Sequence, residues 1–197
     1  MIPRISVITR KTNETDVALE LNLDGTGQST LATGIPFFDH MLDLFTRHGS
    51  FDLSLQVKGD LEVDFHHTVE DVGICLGQAF RHAVGDAKGI RRYALGLIPM
   101  DEALCQLAVD ISNRPFVHFD VPLPKSKVGE FDVELMEEFI RAFASHARLT
   151  LHIKQSTGTN LHHILESCFK ALGIVLSDAV AIDPRKAGQV PSTKGVL

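Results

Sequence analysis

DFHHTVEDVGICLGQAF, residues 64–80, and NLHHILESCFKALGIVL, residues 160–176, align without a gap at an offset of 96 residues. Both segments contain a His-His-x-x-Glu motif that is followed, after the same interval, by Leu-Gly. The identical positions pair His66 with His162, His67 with His163, Glu70 with Glu166, Leu76 with Leu172 and Gly77 with Gly173. Self-similarity at a fixed offset is typical of a repeated structural unit, so the sequence predicts an internal duplication.

The apolar residues of both segments have helical periodicity. From Val69 to Phe80 they recur at spacings of three and four residues, and the second segment repeats the same stripe. This spacing places apolar side chains on one face of an amphipathic helix. We therefore predict helices over residues 66–84 and 162–177.

The sequence around the two segments alternates between apolar and polar residues in short runs, which favours strands. Residues 24–34 are rich in Gly, Ser and Thr and are predicted to form a mobile loop. We predict strands over residues 4–10, 16–23, 51–57, 91–98, 103–111, 115–121 and 147–154, and further helices over 36–48 and 132–146. The same plan occurs twice, so we expect an α+β protein whose halves, residues 1–88 and 89–197, form one compact domain.

Length and charge restrict the class of protein. The chain has 197 residues, 44% of them hydrophobic, a net charge of -6 and a pI near 5.9. A negative surface repels nucleic acid and acidic membranes, so neither is an expected partner. No apolar run reaches the roughly 18 residues of a membrane span or resembles a secretory signal. A cytoplasmic location is expected, or an organelle if a transit peptide was removed.

Ten histidines, several of them in adjacent pairs, point to metal chemistry. In a helix, residues i and i+4 lie one above the other, so His66 and Glu70 can close on one metal ion. His67 projects about 100° further around the helix axis and would reach a second metal ion. The corresponding residues of the second motif are His162, Glu166 and His163. Two such motifs facing each other would build two metal sites of like composition.

The donor set contains imidazole and carboxylate but no thiolate. Such a set suits Mn, Fe or Zn, with octahedral geometry if water or substrate completes the shell. The alternative interpretation makes these histidines hydrogen-bonded core residues. Two equivalent motifs argue against it, because burying four imidazoles and two carboxylates without compensation is costly.

A further pair of ligands is predicted in the helices that precede the two motifs. His40 lies eight residues before His48, and Glu138 lies eight residues before His146. If His48 and His146 are equivalent, His40 and Glu138 are equivalent too, and either side chain can bind a divalent metal. The alternative is a solvated helix face on which Glu138 is an ordinary surface charge.

Six motifs resemble those of the imidazoleglycerol-phosphate dehydratase family. They are GIPFFDHML from residue 34, DFHHTVEDVGICLG from 64, RRYALGLIPMDEAL from 91, DISNRP from 110, TLHIKQSTGTNLHHILESCFKALG from 150 and PSTKG from 191. The resemblance extends from Arg4 to the C-terminus. It implies a layer of four helices between two four-stranded mixed sheets. It also implies a homo-oligomeric shell of roughly two dozen subunits, with active sites between neighbouring chains.

The resemblance also implies two manganese ions per active site. Their ligands fall on His40, His66, His67, Glu70, His162, His163 and Glu166. Many family members have a further ligand histidine where this chain has Glu138, and the internal spacing selects the same position. We therefore include Glu138 as the eighth ligand.

The substrate contacts implied by the resemblance fall mainly on charged and hydroxyl side chains, which suit a phosphate ester. They are Glu14, His40, Arg92, Arg114 and Lys170, with Ser192, Thr193 and Lys194 in a C-terminal phosphate-binding tail. The implied catalytic residues are Glu14, His67, Glu70 and Glu166.

The implied reaction removes water from imidazoleglycerol phosphate to give imidazoleacetol phosphate, in histidine biosynthesis. The hydrogen that is lost from carbon is not acidic. Metal binding to the ring nitrogens is therefore expected to give a metal-bound imidazolate whose electron density helps to expel the hydroxyl. Glu14 is expected to act as a general acid or base.

Two other functions compete with this interpretation. A dinuclear metallohydrolase would use similar ligands to make a metal-bound hydroxide, with its metals about 3.5 to 4 Å apart. A non-enzymatic metal-binding or assembly protein would have no turnover for imidazole or triazole compounds to inhibit.

Overall fold

The computed structural model describes residues 3–186 and 188–197. Its strands are β1 (Ile5–Lys11), β2 (Thr15–Asn22), β3 (Ser29–Ala32), β4 (Asp52–Gly59), β5 (Tyr93–Met100), β6 (Ala103–Asp110), β7 (Phe116–Asp120), β8 (Lys127–Val128), β9 (Phe131–Asp132) and β10 (Thr150–Thr157). Its helices are α1 (Pro36–Gly49), α2 (His66–Val84), α3 (Leu135–Ala147) and α4 (Leu161–Val180), and a 3-10 turn follows at Pro184–Lys186.

The two four-stranded sheets have the same strand order. The first is β1-β2-β4-β3 and the second is β5-β6-β10-β7. In each sheet the last strand pairs in parallel with its neighbour, and the other pairs are antiparallel. The register also repeats, because Leu21 lies opposite Leu53 and Val109 lies opposite Leu151. The predicted duplicated α+β architecture is confirmed, whereas the division at residue 88 stays a prediction.

Alternation along the strands explains why each sheet has one buried face. In β2, the apolar residues Val17, Leu19 and Leu21 are buried, and they alternate with residues that are exposed or partly exposed. Successive side chains of a strand point to opposite faces, so the apolar positions share one face. That face lies against the helices and forms the outer boundary of the core.

The four helices form a layer between the sheets. α2 packs against α3 and α1 packs against α4, so each pair joins one helix from each half. α2 also covers β1 and β2, whereas α4 covers β5 and β6. The predicted sandwich of four helices between two mixed sheets is therefore confirmed. Within the described residues, no helix combines the length and the apolar character needed to span a membrane.

Two glycines of the repeat allow the paired helices to approach closely. A Cβ atom on Gly77 of α2 would lie 2.5 Å from the carbonyl oxygen of Phe143 in α3, and one on Gly173 of α4 would lie 2.3 Å from that of Phe45 in α1. Both distances are far inside van der Waals contact, so a larger residue would force the backbones apart. Phe45 and Phe143 are 98 residues apart. The two contacts therefore make α1 and α3 equivalent at that offset.

The structure differs from the predicted loop at residues 24–34. This segment is not a loop throughout, because β3 pairs in parallel with β4 and completes the first sheet. Ahead of β3, the Asp52 carboxylate accepts hydrogen bonds from the backbone N–H groups of Thr26 (2.8 Å) and Gln28 (3.0 Å). Pairing with a strand distant in sequence overrides the Gly-rich and Thr-rich composition that favoured a loop.

Two elements of the second half begin three residues later than predicted. The helix predicted from residue 132 begins at Leu135, because β8 and β9 form a small hairpin before it. Arg148, in the left-handed conformation with φ 56°, ends this helix, so the strand predicted from residue 147 begins at Thr150. These shifts leave the order of elements unchanged.

Candidate functional site

Three predicted ligands meet at the contact between α1 and α4. His40 Nε2 lies 2.9 Å and His162 Nε2 lies 3.0 Å from Glu166 Oε1. Over residues 3–186 and 188–197, they form the one group of three or more His, Cys, Asp or Glu side chains whose donor atoms all lie within 4.8 Å of one another. The predicted i, i+4 pair is therefore present, and His40 joins it from the other half of the chain.

Local sequence fixes the helix ends that carry these side chains. α1 begins at Pro36, a residue suited to the first helical turn. α4 is capped by Asn160, whose side-chain oxygen accepts hydrogen bonds from the backbone N–H groups of His162 (2.9 Å) and His163 (3.4 Å). The cap sets the first turn of α4, and Gly173 lets α1 lie close enough for His40 to reach it.

Lys170 provides the positive charge beside the cluster. Its Nζ donates a hydrogen bond of 2.6 Å to Glu166 Oε2, one turn back along α4. Burial raises the pKa of Glu166, but hydrogen bonds from Lys170, His40 and His162 outweigh it and lower the pKa to about 2. Glu166 is thus an ionised carboxylate with one oxygen facing the two imidazoles. Lys170, predicted as a substrate contact, lies at the metal cluster.

The second histidine of each motif is held by a carboxylate. His163 Nδ1 lies 2.7 Å from Glu102 Oε2, and His67 Nδ1 lies 2.9 Å from Asp60 Oδ2. The hydrogen bond from His163 lowers the pKa of Glu102 to about 2 and raises the pKa of His163. The hydrogen bond to Asp60 likewise raises the pKa of His67. Each Nδ1 is occupied, which leaves Nε2 as the atom able to bind a metal.

Glu14 lies in the exposed turn between β1 and β2. Its Oε1 is 3.8 Å from His67 Nε2. More than half of the Glu14 side chain is exposed, at 53%. A carboxylate in this position can contact a ligand near the first motif, and its role as a site residue stays a prediction.

His66, Glu70 and Glu138 do not form a group as close as that of His40, His162 and Glu166 in the described chain. They occupy the equivalent positions, however, because the motifs repeat at an offset of 96 and α1 and α3 at 98. The predicted equivalence of His40 and Glu138 agrees with this helix pairing. Their ligand roles stay predictions.

The predicted phosphate-binding residues lie around the end of β6 and the C-terminal segment. The Arg92 guanidinium, in a residue only 8% exposed, donates a forked pair of bonds to Asp110 (2.7 and 3.1 Å) and a third to the carbonyl oxygen of Pro191 (2.7 Å). Arg114 reaches the same Asp110 at 3.6 Å but is largely exposed. Arg92 therefore anchors the segment that contains Ser192 and Thr193, and these two residues line a groove with it.

The remaining predicted residue of this segment, Lys194, is exposed. Its backbone N–H donates to Ser192 Oγ at 3.2 Å, which closes a tight turn. The turn presents the lysine side chain to solvent beside the groove.

The metal cluster and this groove lie at opposite ends of α4. The Arg92 backbone N–H donates to the carbonyl oxygen of Ala179 at 2.9 Å, close to the end of the helix. Ala179 follows Glu166 by 13 residues, which corresponds to about 20 Å along the axis. One small phosphorylated molecule cannot touch both places in a single chain.

Three residues of the site were not predicted from the sequence: Asp60, Glu102 and Asp110. For Glu102 a signal exists in the repeat, because it immediately precedes β6 as Glu14 immediately precedes β2. Asp60 and Asp110 have no comparable signal in the repeat, although their partners His67 and Arg114 lie within seven residues of them.

The cluster fits a divalent metal by the chemistry of its donors. Two imidazole nitrogens and one carboxylate oxygen converge, and one side of the group is exposed through His40. Nitrogen and oxygen donors without thiolate suit Mn, Fe or Zn. The residues that would hold the metal are therefore His40, His162 and Glu166.

Comparison with known proteins identifies the family of the chain. A profile described as imidazoleglycerol-phosphate dehydratase matches residues 33–176, which include both His-His-x-x-Glu motifs and His40. The chain belongs to the imidazoleglycerol-phosphate dehydratase family. Membership of this family makes it a lyase of histidine biosynthesis.

Relatives within the imidazoleglycerol-phosphate dehydratase family match nearly the whole chain. The enzyme of Azorhizobium caulinodans is 59% identical over 194 residues, with 98% of each chain covered. That of Bacillus licheniformis is 55% identical over 188 residues, with 95% of this chain and 96% of the relative covered. Both are named imidazoleglycerol-phosphate dehydratase.

Two solved structures of family members have the same fold. The enzyme from Staphylococcus aureus has a TM-score of 0.83 and 40% identity, and the match covers 91% of this chain and 99% of that one. The enzyme from Pyrococcus furiosus has a TM-score of 0.82 and 37% identity, with 96% and 100% covered. The sandwich of two sheets around four helices is thus the fold of the family.

Proposed function

We propose that this chain removes water from imidazoleglycerol phosphate to give imidazoleacetol phosphate. The observation that carries the proposal is the cluster of His40, His162 and Glu166, in which helices from different halves bring two imidazole nitrogens to one carboxylate oxygen. Relatives that bear the name of this dehydratase share more than half of their residues with the chain. Membership of the family indicates the reaction, and the cluster provides side chains that can bind the metal.

We infer that the metal is manganese and that each active site uses two ions. By the repeat, His66 and Glu70 correspond to His162 and Glu166, and Glu138 corresponds to His40, so we expect a second metal site at the α2–α3 contact. A carboxylate in that position adds negative charge, which suits a hard divalent cation such as Mn. The eight proposed ligands are His40, His66, His67, Glu70, Glu138, His162, His163 and Glu166.

When bound, the metal ions would act as Lewis acids on the imidazole ring of the substrate and favour its ionised form. Glu14 then has the role of moving a proton. Its carboxylate is exposed near His67 and does not belong to the cluster of ligands. We assign it as the general acid or base at the leaving hydroxyl or at the carbon-bound hydrogen. His67, Glu70 and Glu166 contribute to catalysis as ligands.

We assign the phosphate of the substrate to the groove beside the C-terminal segment. Guanidinium groups donate forked, charge-assisted hydrogen bonds to phosphate, and hydroxyl groups add further donors. At the other end of the substrate, His40 contacts the imidazole ring, and Lys170 contacts the part of the substrate that lies beside the metal ions. The phosphate contacts are Arg92, Arg114, Ser192, Thr193 and Lys194.

The separation along α4 supports active sites shared between chains. Because Glu166 and the Arg92 groove are about 20 Å apart along the helix, the phosphate and the imidazole of one substrate require residues from different copies. We therefore propose a closed homo-oligomer, of the size of roughly two dozen subunits that the family resemblance implies. Neither nucleic acid nor a membrane takes part in this arrangement.

A direct test compares metal content and dehydration of imidazoleglycerol phosphate in three variants. Glu70→Gln should lower manganese occupancy. Glu14→Gln should keep its manganese and lose about a hundredfold or more in turnover. Glu20→Gln, an exposed carboxylate on β2, is the matched control and should behave as the wild type. Wild-type protein that binds manganese without dehydrating this substrate would contradict the proposed function.

A further inference from the structure

A carboxylate outside the set of eight ligands controls His163. Glu102 lies in the turn between β5 and β6, and its Oε2 is 2.7 Å from His163 Nδ1. An Nδ1–H group that donates to a carboxylate fixes the imidazole tautomer, so the lone pair is on Nε2. The ring of His163 is therefore held in the one form in which Nε2 can bind a metal.

The Glu102 carboxylate is itself anchored. Its second oxygen, Oε1, accepts hydrogen bonds from the backbone N–H groups of Asn160 (2.8 Å) and Thr159 (3.2 Å). The backbone of Glu102 is tied as well, since its carbonyl oxygen accepts a bond of 3.0 Å from Thr157 Oγ1. Two contacts hold the carboxylate against the N-terminus of α4 and a third holds its backbone, so its position does not depend on His163.

In the first half of the chain, the equivalent histidine, His67, is held by a carboxylate at a different position. Glu14 precedes β2 as Glu102 precedes β6, so the two glutamates are topological equivalents. In the first half, however, the histidine Nδ1 is taken by Asp60 at 2.9 Å, and Glu14 lies 3.8 Å from the opposite nitrogen of His67. The carboxylate at Nδ1 therefore follows β4 in the first half and precedes β6 in the second.

We propose that Glu102 is a positioning residue of the metal centre, which fixes the Nδ1–H tautomer of His163 and presents Nε2 to the metal. Asp60 does the same for His67. Because Asp60 holds the ring of His67, Glu14 does not need to orient a histidine as Glu102 does. The Glu14 carboxylate can therefore transfer a proton. This division rests on the proposed function, because it takes both histidines as metal ligands.

The test measures manganese affinity by titration calorimetry on metal-free protein. Glu102→Gln keeps the size of the side chain but removes its charge, and we expect manganese to bind about 10 to 100 times more weakly. The thermal unfolding midpoint of the metal-free variant should stay within about 2 °C of the wild type. Glu20→Gln is again the matched control and should change neither quantity. Saturating manganese should restore the turnover of Glu102→Gln, because the ligands themselves are intact.

Manganese binding by Glu102→Gln with wild-type affinity would overturn the proposal, even for a chain that proves to be an active dehydratase. A loss of affinity matched by a large fall in the metal-free unfolding midpoint would also overturn it, since Glu102 would then be a structural residue. If Glu102→Gln does not fold, Asp60→Asn repeats the test on His67 with the same expected loss. Tight manganese binding by a wild-type chain that dehydrates nothing would count against the proposed function alone.

Discussion

Gly173→Ala perturbs the contact between α1 and α4 on which the metal cluster depends. The new Cβ atom would lie 2.3 Å from the carbonyl oxygen of Phe45 and 3.0 Å from the backbone nitrogen of Gly49, whereas ordinary contact begins near 3.4 Å. Both neighbours are backbone atoms, so no side chain can rotate away. The two helices must separate by roughly 1 Å to admit the methyl group.

The expected cost follows from two opposing effects. Overpacking a well-packed core costs about 1 to 3 kcal/mol, and more where the backbone must move. Alanine regains about 1 kcal/mol over glycine in helix propensity. We therefore expect a net loss of about 2 kcal/mol, which lowers the unfolding midpoint by about 4 to 8 °C in a chain of this size. Manganese should also bind at least about tenfold more weakly, since metal–ligand distances tolerate only about 0.2 Å.

Differential scanning calorimetry with and without manganese measures both effects. Ser145→Ala, at an exposed position of α3, is the control for a new alanine in a helix and should leave the midpoint unchanged or slightly raised. Gly77→Ala should be destabilising in the same way, because its Cβ would lie 2.5 Å from the Phe143 carbonyl oxygen. A Gly173→Ala protein that unfolds at or above the wild-type temperature would refute the close approach of the helices.

Two further predictions concern Asp52 and Arg92. The backbone N–H of Thr26 is the main group that holds the pKa of Asp52 below its ordinary value of 3.8. The ionised carboxylate therefore stabilises the fold above pH 3.8. This contribution is lost as the pH falls through the lowered pKa. Asp52→Asn should thus differ from wild type in free energy of unfolding at neutral pH, with a gap that closes during acid titration; a gap independent of pH would contradict this. Arg92→Lys loses the forked guanidinium contacts, so amide hydrogen exchange in residues 188–197 should accelerate. The exposed control Arg91→Lys should leave the exchange unchanged. Unchanged exchange in Arg92→Lys would show that the segment is anchored elsewhere.

Periodicity in the sequence was sufficient to predict most of the fold. The stripe from Val69 to Phe80 predicts α2 because a surface helix must bury one face, and the repeat transfers the same prediction to α4. β3 could not be predicted in this way. Two of its four residues are partly buried and two are exposed, and they form a strand only because β4 offers a free edge.

The site was predictable where its geometry is local. His162 and Glu166 are one turn apart, so helix geometry alone brings them together, and spacing from His48 selected His40. Contacts between distant parts of the chain were beyond such reasoning. Glu102 reaches His163 from a turn 61 residues away. The repeat marks Glu102 as the counterpart of Glu14, but it does not specify the contact with His163.

The hydrogen bonds of Arg92 explain why its full role could not be inferred from its residue type. A guanidinium group beside a hydroxyl-rich tail suits a phosphate. In the structure the Arg92 guanidinium donates hydrogen bonds to Asp110 and to the carbonyl oxygen of Pro191. Anchoring the tail and contacting a ligand are compatible, because Ser192 and Thr193 line the same groove.

Anomalous diffraction at the manganese edge, from crystals of the manganese-loaded protein, tests the duplicated metal centre most directly. Two peaks per chain are expected, one bound by His40 Nε2, His162 Nε2 and a Glu166 oxygen, and one bound by the equivalent ligands Glu138, His66 and Glu70. A map in which fully loaded protein has no peak beside Glu166 would contradict the assignment of this cluster as a metal site.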